Sequence, residues 1–121
     1  MPSEFDFEKF RLRTFVDRIV DLGEVNVLEG PTPLTKMSEI IESAPEAVLF
    51  KQAGPEGHEV IAKSMGSRKR IAAAFDTNYE AVHEEYHRRL ANPKKAVEIP
   101  GDEAPVREIV LTGDDIDLTR L

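Results

Sequence analysis

The chain has 121 residues, 40% of them hydrophobic and 32% charged, with a net charge of −7 and no cysteine. It can bury one core but not two. Disulfides, thiol catalysis and zinc–thiolate sites are excluded, and the acidic balance argues against nucleic acid or an anionic membrane as partner.

The first element predicted is a helix. Leu12, Phe15, Val16, Ile19 and Val20 recur at i, i+3, i+4, i+7 and i+8 and form one apolar stripe, expected in the core. Asp6 is the expected N-cap, with Phe5 and Phe10 as a hydrophobic staple, and Gly23 the expected stop. "EVNVL" reads as a short strand in which Val25 and Val27 alternate with polar residues, and "EGPTP" as a loop. Leu34, Met37, Ile40 and Ile41 share one face of a second helix over Leu34 to Ser43, ended by Pro45. "EAVLFKQ" and "HEVIAKS" flank "AGPEG", the pattern of two antiparallel strands and a turn.

A third helix is expected in "SRKRIAAAF" and a fourth in "TNYEAVHEEYHRRLANP". Thr77 and Glu80 fit a capping box for the fourth, and Tyr79, Val82, Tyr86 and Leu90 fall on one face. "KKAVEIPGDEAP" reads as a linker and "VREIVLTG" as a last strand centred on Ile109, Val110 and Leu111. The order α-β-α-β-β-α-α-β predicts an α+β fold, with a small mixed or antiparallel sheet, a central hairpin and three to four flanking helices. Residues 1–96 form the expected domain. Residues 97–121 form an acidic linker and strand, with seven acids from Glu98 to Asp117 against Arg107 and Arg120.

Three motifs could carry chemistry. "HEEYH" at residues 83–87 fits H-E-x-x-H, in which His83 and His87 would hold zinc and Glu84 would act as base. A catalytic zinc needs a third protein ligand. Leu90 stands where the metzincin extension has glycine, and no later histidine exists. The alternative is a solvated face where Glu84 and Glu85 pair with Arg88 and Arg89. On this reading no tight zinc site is expected. "MGSRKRIAAA" places Arg68, Lys69 and Arg70 at the positive end of a helix, where they would add to an anion site but which cations do not ordinarily favour, so that some compensation is called for. A capped helix with solvated bases is the preferred reading, because the P-loop pattern is missing. Asp114, Asp115 and Asp117 lack the glycine and glutamate of a calcium loop and read as an acidic turn. His58 reads as a surface residue. No residue is assigned a catalytic, cofactor-binding or metal role.

Beyond these readings, the chain resembles the N-terminal region of the UbiD family, the prenylated-FMN-dependent reversible decarboxylases. "FRLRTFVDRIVDLGEVNVLEG" is similar to the family's opening helix and strand. "APEAVLFKQAGPEGHEVIAKSMGSRKRIAAAF" is similar to its hairpin and the following G-[ST]-x-x-R-[IV]-A helix. "APVREIVLTGDDIDLTRL" is similar to the segment that precedes the catalytic half. The resemblance implies part of a carboxy-lyase that decarboxylates an aromatic or α,β-unsaturated acid, reversibly and without oxidation. It implies prenylated FMN, a divalent metal (Mn or Mg) and potassium, all held by a flavin-binding catalytic domain absent from this chain. That half, on the same or a separate chain, is the implied partner within an oligomer. This chain alone is expected to bind no flavin and to be inactive. A stand-alone structural or interaction subunit is the rival expectation. With no apolar run near the ~20 residues of a membrane span and no signal-peptide core at the N-terminus, the expected location is the cytoplasm.

Overall fold

The computed structural model describes residues 6–120. It is an α+β fold with four helices and a three-stranded mixed sheet: α1 (Leu12–Asp21), β1 (Val25–Thr32), α2 (Leu34–Ser43), β2 (Ala47–Ala53), β3 (His58–Ala62), α3 (Arg68–Ala74) and α4 (Val82–Leu90). The strand order is β1-β2-β3. β1 runs parallel to β2, which requires the α2 crossover, and β2 and β3 form the antiparallel hairpin.

Residues of alternating parity on β2 build two cores. Val48 and Phe50 join Ala44 and Ala53 under α2, with Leu28, Met37, Ile40, Ile41 and Val60 packed around them. Ala47 faces the other way and meets Ile19 of α1 and Ala73 of α3, with Phe15, Val25 and Ile61. A strand covered on both faces must be apolar at every position, hence the unbroken "AVLF". The α1 stripe is narrower than its periodicity suggests. Val16 and Ile19 are buried and Phe15 and Val20 half-buried, but Leu12 points to solvent.

Gly23 ends α1 as expected. Its φ is +72°, and the Gly23 and Glu24 amides donate to the Val20 and Ile19 carbonyls in a Schellman closure. At the other end Asp6 does not cap the helix. Its carboxylate accepts from the Lys9 amide at 3.2 Å and closes a separate turn, so α1 begins only after Arg11. The staple partner Phe5 lies outside the described residues.

Other boundaries also shift. β1 continues through Gly30 and Pro31 after an irregularity, where a loop was expected. Proline lacks a ladder donor, and β1 is an edge strand, where that lack is tolerated. The Thr77–Glu80 capping box does not form. The Thr77 amide instead donates to the Ala72 carbonyl and ends α3, while the Asn78 side chain accepts from the Ala81 amide ahead of α4. The last strand is absent. Among the described residues, 106–113 pair with no strand, and the segment carries only short 3-10 turns at Pro105–Arg107 and Gly113–Asp115.

Candidate functional site

The basic run in the first turn of α3 is anchored on all three cations. Ser67 caps α3, its hydroxyl accepting from the Arg70 amide at 3.2 Å. Arg70 turns inward until its side chain is 1% exposed, and one Nη donates to Glu24 at 3.1 Å. Lys69 lies 3.6 Å from the same carboxylate. Arg68 donates to the Tyr79 carbonyl at 3.0 Å, with its guanidinium 4.8 Å from the centre of the Tyr79 ring. The compensating anion is therefore Glu24, at the α1–β1 turn. Nothing in the local sequence marked it, since it lies 46 positions before Arg70. Burial of Arg70 corrects the expectation of solvated bases at this residue. A Cβ on Gly66 would come within 2.9 Å of the Arg70 Nη2 and 3.2 Å of the Lys63 carbonyl oxygen, so a larger residue there would displace the buried guanidinium.

On α4, His83 and His87 stand side by side, exposed, with ring centroids 4.5 Å apart. Among the described residues no third His, Cys, Asp or Glu joins them in a group that could enclose a metal. Glu85 makes the expected pairs alone. It accepts from Arg88 at 2.6 and 2.9 Å and from Arg89 at 2.8 Å. Those bonds hold its carboxyl at about 2, against an ordinary 4.5. Arg89 also donates to the Phe75 carbonyl at 2.6 Å and Arg18 to the Ala73 carbonyl at 2.6 Å, so two cations close the C-terminal end of α3.

The acidic turn is local. Asp117 accepts from the Thr119 amide at 2.9 Å and its hydroxyl at 2.6 Å, which lowers the Asp117 pKa. Arg120 bonds Glu56 and thereby ties residue 120 to the β2–β3 turn. His58 is exposed on the edge strand β3.

Two further surfaces lie apart from these clusters. A cavity of about 410 Å³ between α1 and the hairpin has an apolar floor of Val16, Leu49 and Ile61. Its rim carries Arg11, Arg13, Asp17 and Glu59, charges that balance, with no histidine or hydroxyl to act on a substrate. The larger feature is the segment from Val97 to Leu118. Eight large apolar side chains there lie exposed, from Ile99 at 52% to Leu118 at 92%. They are interspersed with seven acids. Among the described residues no helix is long and apolar enough to cross a membrane. No family model matches the chain.

Proposed function

We propose that the chain is the N-terminal portion, or a small subunit, of a UbiD-like carboxy-lyase that decarboxylates an aromatic or α,β-unsaturated acid, reversibly and without oxidation. The reading places it in the cytoplasm, in an oligomer with a flavin-binding catalytic half. The observation that supports it most is the exposed segment 97–118. Apolar side chains exposed in such numbers suit a surface that another protein covers. In sequence the same stretch is similar to the lead-in to the family's catalytic half. The sequence similarity of the hairpin and of the α3 region, in the family's order, adds to it.

The cofactors do not fit this chain's own residues. Among the described residues no three His, Cys, Asp or Glu side chains group to hold manganese or magnesium. The cations best placed for a phosphate, Arg70 and Lys69, are already engaged with Glu24. On this reading prenylated FMN, manganese or magnesium and potassium belong to the catalytic half, and this chain contributes a docking surface.

The test is hydrogen exchange on the chain alone and with the flavin-loaded catalytic half, beside an FMN titration of the chain alone. Amides 108–118 should exchange fast alone and slow markedly in the complex, and the chain alone should leave FMN absorbance unchanged. Equal, strong protection in both states would sink the docking role. Tight stoichiometric flavin binding by the chain alone would overturn the division of labour. Protection on binding, with the partner's decarboxylation rate unmoved, would favour the non-catalytic interaction subunit.

A further inference from the structure

Among the described residues the H-E-x-x-H motif meets no third ligand for a catalytic zinc, but chelation by the two histidines does not need one from the same chain. His83, Tyr86, His87 and Leu90 occupy i, i+3, i+4 and i+7 of α4 and so share one stripe. All four are exposed, whereas Val82 is buried and Glu85 and Arg89 are half-buried on the inward side. The imidazoles are already adjacent, with centroids 4.5 Å apart and planes inclined at 76°. Among the described residues no hydrogen bond or ion pair engages either ring. The Tyr86 ring lies beside His87, centroids 5.9 Å apart.

We propose that His83 and His87 chelate a divalent zinc, copper or nickel ion, and that a second copy of the chain completes its coordination through the same α4 stripe. Three arguments converge. Imidazole pairs at this helical spacing reach one ion, and ions of this class prefer nitrogen donors. Zinc held in a closed site takes four ligands; one chain supplies two, and a twofold axis through the ion supplies four. The exposed Tyr86 and Leu90 flank the pair, so the contact that completes the ion also covers apolar surface. Calcium and magnesium, which take oxygen ligands, are not accommodated. This inference stands apart from the proposed decarboxylase role, and its readout is mass rather than activity.

The experiment is sedimentation velocity with calorimetric titration on the untagged chain, with zinc sulfate as probe and magnesium chloride as control. Zinc should double the sedimenting mass over the metal-free state at one ion per two chains. EDTA should reverse the change, and magnesium should leave it unmoved. His83→Gln and His87→Gln should each abolish the doubling, with far-UV circular dichroism unchanged, because both side chains are solvent-facing. Leu90→Lys, which leaves both ligands in place, should weaken the doubling at least several-fold in zinc concentration. Binding of one ion per chain without a mass change, or doubling that persists in the His83→Gln/His87→Gln variant, would overturn the proposal.

Discussion

Arg70 is held by less than its chemistry demands. A guanidinium carries five donors. One Nη bonds Glu24, while Nε and Nη2 are buried and reach no hydrogen-bond partner. Such a pair costs more to break than it contributes, because removing Glu24 strands a buried guanidinium. Glu24→Ala should therefore lose about 3–5 kcal/mol in urea unfolding, and Arg70→Met combined with Glu24→Gln should recover most of it. A double variant no better than the single one would show that the pair itself is stabilising. Glu85 makes a different, titratable contribution. Its folded pKa lies below its unfolded value, so the stabilisation is complete above 4.5 and is lost as pH falls through about 2. Asp76, lowered first by its bond from Lys9, acts in the same direction. Glu85→Gln should flatten the acid limb of a plot of thermal midpoint against pH across that window, and an unchanged limb would refute the assignment. In sequence, solvated bases are the preferred reading of the basic run, although the helix dipole makes a need for some compensating group legible. The identity of that group is not legible, because Glu24 is local to α1 in sequence and to α3 only in space.

At the scale of elements, legibility followed periodicity. The residues expected to span α2 are those that form it, since four apolar positions at helical spacing meet a proline that forces the preceding residue out of the helix. The strand expected at residues 106–113 failed because β-rich composition describes a fit to neighbours rather than a backbone preference, and among the described residues no neighbour is present. The α4 start was misplaced because Thr77, a good cap by composition, serves the end of α3 instead. The α2–β2 connection also depends on a residue with no sequence signal. Lys63 sits at φ +57°, and its Nζ donates to the Ile41 carbonyl at 3.2 Å and to the Ala44 carbonyl. Lys63→Ala loses those bonds and keeps the strained backbone, whereas Lys63→Gly loses the bonds but relaxes φ. The alanine variant should be the less stable by about 1 kcal/mol, read from denaturant midpoints. Equal midpoints would mean that the turn relaxes freely.

For the whole molecule, the alternation of helical and strand patterns was enough to give the α+β class, because each pattern must bury its apolar side against another layer. The parallel pairing of β1 with β2 was not legible, since short apolar runs look alike in either direction. The placement of β2 between its two sequence neighbours also bears on how the chain finds its fold. The hairpin closes across residues 54–57 alone, while the bond from Arg18 to the Ala73 carbonyl spans 55 positions. Short loops lose little entropy on closing, and hairpins form in roughly 1–10 µs. The β2–β3 pair should therefore nucleate the molecule, with β1 added through α2 and the α1–α3 contact made last. Stopped-flow kinetics on Val60→Ala should show slowed folding, and on Ile19→Val mainly faster unfolding. The reverse pattern would place helix docking first. On this order, a chain released with α1 undocked already holds its hairpin, and the Ala47 face of that hairpin stays open until α1 arrives.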